Sequence, residues 1–282
     1  MGESNCIEIS GSLEAPGTEL IVTADDAGLR RDWDEAILRA ASGAGAVVRA
    51  ASLVVGGPTY ESFRRRAADV PGLEAGVHLV IPELLPGGIR RPLSLGRAAL
   101  YRLFGRWNRR RIRQEWERQL AKALEDGLRP WFLNSHLHLH QLPDLFGEIV
   151  QLAEHNGIPF VRVAGGCPMW MLGARPLFPS LIKDWGLWMT AELARWRLPA
   201  TARVRAVRAW GAGFTGLPPM EQWRAMTKGM GPGTWEVICH PGQVVLGGTV
   251  ARDNHRVESL RELQEKLSLQ FTSFERLYGR YA

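Results

Sequence analysis

The chain has 282 residues, 45% of them hydrophobic and 23% charged, with a formal net charge of +6. That balance excludes a disordered chain and a multispanning membrane protein, and the length suits a single α/β barrel, so one domain is expected. Cys6, Cys167 and Cys239 lie far apart without CxxC pairing, which argues against a disulfide framework and against a thiolate zinc site.

Residues 1–18 read as a flexible lead-in with neither a basic n-region nor an apolar h-region, and no apolar run reaches membrane-spanning length. Cytoplasmic localisation is therefore expected. Leu20 to Ala24 is a short apolar run that ends in Asp25-Asp26, and Asp34 to Ala44 has helix-favouring composition. The same rhythm repeats with a strand over Ala50 to Val55, a break at Gly56-Gly57-Pro58 and a helix over Tyr60 to Asp69. Leu73 to Val80 reads as a strand carrying His78. Arg111 to Gly127 reads as a helix with an apolar stripe at Ile112, Trp116, Leu120 and Ala123. Trp131 to Asn134 leads into His136, His138 and His140, then a helix over Pro143 to His155 and a strand over Pro159 to Val163. Residues 165–213 loosen into a Trp- and Arg-rich stretch, read as an aromatic and basic insertion or lid. Trp235 to Cys239 is a last strand before His240, and a closing helix is expected over Val257 to Tyr278. Strands alternating with helices predict an α/β fold with a parallel strand core, a closed β/α barrel over residues 19–282.

Asp25-Asp26, His78, His136 and His240 all fall at the C-terminal ends of predicted strands, where parallel α/β folds assemble their sites. Adjacent carboxylates repel in a dry pocket unless a cation neutralises one, so Asp26 as ligand with Asp25 as base is one workable division. His78 and His136 then complete two-nitrogen, one-oxygen ligation of a catalytic type, with water activation as the implied chemistry. Each element alone has a plainer explanation: a turn or helix cap for the aspartates, and satisfied polar side chains for His78 and His240. The triple His136, His138, His140 is harder to dismiss. At period two it would line one face of an extended segment, and three buried imidazoles are costly unless bonded or metal-bound. The cluster Arg106 to Arg111 is explained by a solvated helix face, so no nucleic-acid partner is expected.

At these positions the sequence resembles the YdjC-like carbohydrate deacetylases, within the wider polysaccharide-deacetylase-type barrels. Thr23-Ala24-Asp25-Asp26-Ala27-Gly28 is similar to that family's ADDFG opening, Gly76-Val77-His78-Leu79 to its GLHL, Asn134 to His140 to its DSHxHxH, and Cys239-His240-Pro241-Gly242 to its CHPG. The match runs from Glu19 onward in the expected order. The resemblance implies one divalent metal held by Asp26, His78 and His136, with zinc favoured and magnesium or another divalent cation as alternatives. It also implies Asp25 as general base, His240 as general acid and an N-acetylated amino sugar as substrate. Ala27 stands where the family usually has Phe, and Asn134 where it usually has Asp.

The later half is similar to the branch associated with hopanoid biosynthesis, which implies an N-acetylglucosaminyl lipid and peripheral contact with the inner membrane face. Trp170 and Trp185, among the aromatic residues that exceed what a plain sugar needs, are expected at the substrate together with His138 and His140. The alternatives are deacetylation of small soluble chito-oligosaccharides, or a non-catalytic glycan- or lipid-binding relative.

Overall fold

The computed structural model describes residues 17–81, 108–165, 178–198, 202–210, 232–242 and 270–281. Seven parallel strands close into a barrel: β1 (Thr18–Ala27), β2 (Ala50–Leu53), β3 (Glu74–Leu79), β4 (Phe132–Ser135), β5 (Phe160–Ala164), β6 (Arg205–Trp210) and β7 (Gly233–Cys239). Closure comes from β1, which pairs with β7 from Thr18↔Gly233 to Ala24↔Cys239 and with β2 from Thr23↔Ala50. A two-residue strand, β8 (Gln270–Phe271), pairs with Glu19 and Leu20 on the other side of β1, below the start of its pairing with β2. The helices are α1 (Arg31–Ala41), α2 (Tyr60–Ala68), α3 (Arg109–Glu125), α4 (Phe146–His155), α5 (Phe178–Arg197) and the short α6 (Phe274–Tyr278).

Strand alternation sorts the barrel into two shells. One set of positions packs against the helices in the main core cluster, including Leu20, Val22 and Ala24 of β1, Leu53 of β2, Val77 and Leu79 of β3, Leu133, Val161 and Val163. The alternate set forms an inner cluster at the lower end: Ile21, Ala50, Phe132, Phe160 and Val207, plugged by Phe274 and Leu277 of α6. Phe132 and Phe274 stack with ring centroids 4.4 Å apart. Glu74, at the foot of β3, accepts 2.7 Å hydrogen bonds from the backbone N–H groups of Phe274 and Glu275, fixing the start of α6. A Cβ on Gly76 would lie 2.3 Å from the Phe132 ring, so Gly76→Ala is expected to destabilise the fold by about 1–3 kcal/mol. Urea denaturation measures this, and an unchanged midpoint would show that the plug yields.

Two elements depart from the sequence reading. The stretch 165–213, expected as an insertion or lid, supplies barrel strand β6 and places Ala191 and Ala194 of α5 in the core. Arg205 and Arg208 disguise β6 because they sit on its more exposed positions, while Val207, Ala209 and Trp210 are buried. In the expected closing helix, Gln270 and Phe271 are strand and only Phe274–Tyr278 is helical; residues 257–269 lie outside the described residues. The basic face of α3 is matched by acids: Arg109 and Arg113 pair with the buried Glu148 of α4, and Arg118 pairs with Glu115. No helix among the described residues is long and apolar enough to cross a membrane.

Candidate metal centre

Above the aromatic plug the inner positions of the strands turn polar: Thr23 and Asp25 on β1, Ser52 on β2, His78 on β3, Asn134 on β4, Arg162 on β5 and Glu236 on β7 are all buried. They occupy the half of the barrel where the strands end, the end that carries active sites in β/α barrels.

The sequence places Asp26 here through a left-handed residue just before the end of β1, where the strand's register shifts. Asp26 has φ 62°, which costs little for an aspartate, and Gly28 follows at φ 90°, where a Cβ would lie 3.0 Å from the Tyr60 backbone. The Gly28 N–H donates to Asp34 Oδ1 at 2.7 Å, anchoring the turn to α1. Asp26 Oδ1 lies 3.4 Å from His78 Nε2 and 3.2 Å from His136 Nδ1. The three ligand atoms lie within 4.8 Å of one another, and the two imidazoles meet edge to face at 81°. Burial works to raise the Asp26 pKa, but His136 and His78 outweigh it and hold the carboxyl well below the usual range. Two imidazole nitrogens converging on one buried, ionised carboxylate oxygen suit a divalent cation of the zinc type. Asp26, His78 and His136 are thus brought together as expected from sequence.

Asp25 points to the other side of the same strand end. Arg162 donates to both of its oxygens, Nη1 to Oδ2 at 2.5 Å and Nη2 to Oδ1 at 2.8 Å, and the same guanidinium reaches Glu236 at 2.9 and 2.6 Å. Burial pulls the Asp25 pKa up; Arg162 chiefly, with His78 and His240, more than offsets this and leaves it at about 2. Burial likewise opposes the charge on Arg162, yet Asp25 and Glu236 drive its pKa further up. Because Ala24 pairs with Cys239, Asp25 and His240 leave neighbouring strand ends side by side. Arg162 and Glu236 lie inside expected strands and carry no motif of their own. The available signal was a charged residue inside each of two short apolar runs, Phe160-Val161-Arg162-Val163 and Trp235-Glu236-Val237, positions that bury charge only when it is paired.

The His136 to Gln141 segment is not extended. β4 stops at Ser135, and the chain turns into a 3-10 segment in which Leu137 (φ 56°) and His138 (φ 55°) are left-handed. The period-two reading therefore fails, and the three imidazoles part company. His140, expected at the substrate, is fully buried. Its Nε2–H donates to the Arg162 carbonyl at 2.8 Å, and its Nδ1 accepts from the Ser135 hydroxyl at 2.7 Å. Its function is to tie β4 to β5. His138 is half-buried, with its ring centroid 6.5 Å from that of His140. Trp185 lies on α5 and is 49% exposed, whereas Trp170 lies outside the described residues.

Burial depresses the His140 pKa to about 3. The unfolded chain takes up a proton at this ring below about pH 6.5 and the folded protein does not, so stability falls as pH drops through that window. Urea denaturation of wild type and His140→Gln at about pH 7 and about pH 5 is expected to show wild type losing about 2 kcal/mol more over that interval. Parallel losses would contradict a buried, neutral His140.

This arrangement can be set beside known proteins. The family model for YdjC-like proteins matches residues 19–274. The chain belongs to the YdjC-like family. This YdjC-like chain is 32% identical over 174 residues to a carbohydrate deacetylase of Geobacillus stearothermophilus, covering 58% of the chain and 67% of that relative. It is 28% identical over 151 residues to a chitooligosaccharide deacetylase of Serratia marcescens, covering 50% of the chain and 57% of the relative. The match thus spans little more than half of the Serratia protein. In fold, the YdjC-like barrel is similar to a crystal structure from Enterococcus faecalis V583 named for cellobiose-phosphate cleavage. The TM-score is 0.63 at 18% identity, over 93% of this chain and 99% of that one.

Proposed function

We propose that this YdjC-like protein is a metal-dependent carbohydrate deacetylase that hydrolyses the N-acetyl group of an amino sugar. The observation that carries the reading is the convergence of Asp26, His78 and His136 within 4.8 Å, beside the Asp25 and His240 strand ends. The names of the Geobacillus and Serratia relatives supply the reaction class and the sugar.

When bound, a divalent cation on these three residues supplies the Lewis acidity that polarises the acetyl oxygen and makes water acidic enough for a weak base. Asp25, held ionised and fixed in orientation by Arg162, accepts the proton of the attacking water. His240, on the adjacent strand end, donates a proton to the sugar nitrogen as the C–N bond breaks and acetate leaves. The residues 19–282 form one catalytic unit in this reading.

The finer proposal is that the sugar is N-acetylglucosamine on a lipid or other hydrophobic aglycone, with the protein working in the cytoplasm at a membrane face. Supporting it, α5 exposes Trp185, Met189 and Trp196, the last at 81%, close in sequence to Arg195 and Arg197. The Serratia relative favours a second substrate, a small soluble chito-oligosaccharide. Mass spectrometry of zinc-loaded protein with an N-acetylglucosaminyl lipid and with N,N'-diacetylchitobiose separates the two. Loss of an acetyl group from the lipid alone is the expected result. Loss from chitobiose alone would remove the lipid, and loss from neither would favour a glycan-binding protein.

A further inference from the structure

Asn134 sits at the centre of the polar layer, fully buried and paired in register with His78 across β3 and β4. Three groups converge on its amide: the Ser52 hydroxyl, His78 Nδ1 and the Arg162 guanidinium. The amide fits this pocket in two ways. With Oδ1 toward Ser52 and His78, it accepts from each at 2.7 Å, but its NH2 is then pressed against the Arg162 NH groups with Asp25 Oδ1, 3.4 Å away, as the acceptor on that side. Turned over, Oδ1 accepts from Arg162 Nη1 at 2.7 Å and Nη2 at 2.9 Å, and the NH2 donates to Ser52 Oγ and to His78 Nδ1, both at 2.7 Å. The second orientation satisfies both ends of the amide, whereas the first sets donors against donors in a dry interior.

The preferred orientation fixes the His78 ring. An Nδ1 that accepts leaves the neutral imidazole's proton on Nε2, the atom 3.4 Å from Asp26 Oδ1 and the one that must ligate a metal. Ligation through Nε2 requires the other tautomer, with Nδ1–H donating to the Asn134 oxygen. The amide must then turn over and give up its bonds from Arg162.

We propose that Asn134 is a positioning residue that holds His78 in the tautomer unable to bind metal, so that loading the Asp26, His78, His136 site is coupled to loss of the Asn134 hydrogen bonds to Arg162. This rests on the metal reading above. Its consequence is an affinity below what the three ligands alone would give. A carboxylate at this position has no donor end, accepts from Ser52, Arg162 and His78 Nδ1–H together, and removes the conflict.

The test uses 15N-histidine-labelled full-length protein, metal-free, at a pH where imidazole is neutral, with two-bond 1H–15N correlations reporting the His78 tautomer. Wild type is expected to show His78 protonated at Nε2 and Asn134→Asp to show it at Nδ1. Zinc affinity, from competition with a chromogenic chelator, is expected to rise at least about tenfold in Asn134→Asp, the scale of effects seen for groups behind a metal ligand. Asn134→Ala removes the donor without adding charge and is expected to abolish the preference for Nε2–H, which keeps the test intact should Asn134→Asp fold poorly. A wild-type His78 already protonated at Nδ1, or unchanged zinc affinity in Asn134→Asp, overturns the proposal. Absence of zinc binding in both proteins despite the tautomer change overturns the metal reading and with it the coupling.

Discussion

Replacing Arg162 with methionine is expected to lower the unfolding free energy by about 3–5 kcal/mol, the cost of removing one partner from a buried ionic cluster. The guanidinium is fully buried and is the cation between Asp25 and Glu236, donating to two oxygens of each. Methionine fills the volume but leaves two carboxylates in the interior without it, and Asp25 then loses the main influence that offsets burial, so its pKa rises. Against a total stability of about 5–15 kcal/mol, a loss of that size is readily read by urea denaturation at neutral pH. Arg162→Lys keeps the charge but loses the planar fork and is expected to fall in between. A loss below about 1 kcal/mol in Arg162→Met would place the cluster in water rather than in a dry core.

The second large effect is expected at Asp26. It is the carboxylate of the candidate ligand set, and two imidazoles face its Oδ1 at 3.2 and 3.4 Å. Asp26→Ala is expected to retain no zinc after gel filtration and to lose deacetylation by at least about 10³-fold, the scale of deleting a group that stabilises transition-state charge. Its stability should change far less than that of Arg162→Met, because Asp26 lies at the irregular last residues of β1, outside the ionic cluster. Stoichiometric zinc in Asp26→Ala would mean that the ligands lie elsewhere.

The two effects separate what a sequence can disclose about this site from what it cannot. Asp25, Asp26, His78, His136 and His240 were legible because each is a polar residue that ends a short apolar run, and parallel strands gather such ends at one rim of the barrel. The partners that tune them were not. Arg162 lies 137 residues from Asp25 and 74 from Glu236 along the chain, and a single sequence records a charge inside a strand without recording which charge it meets. The direction of His140 was equally hidden, because it depends on Leu137 and His138 turning left-handed, a conformation their side chains do not advertise. β6 is hidden in the sequence because Arg205, at its exposed start, and Arg208, on its outer face, break the apolar run, although Val207 and Ala209 at alternate positions are buried. Closure of the barrel also lies beyond periodicity, since it depends on the single register that joins β1 to both β2 and β7.

Acetyl removal by this protein is expected to depend on a bound metal. Acetate release from N,N'-diacetylchitobiose and from an N-acetylglucosaminyl lipid, by protein stripped with chelator and then restored with zinc, measures it in one experiment. The stripped protein is expected to be inactive and the zinc-restored protein active on at least one of the two, while Asp26→Ala stays inactive in both states. Full activity in the stripped protein, or no gain on adding zinc to a protein that binds it, would contradict the account.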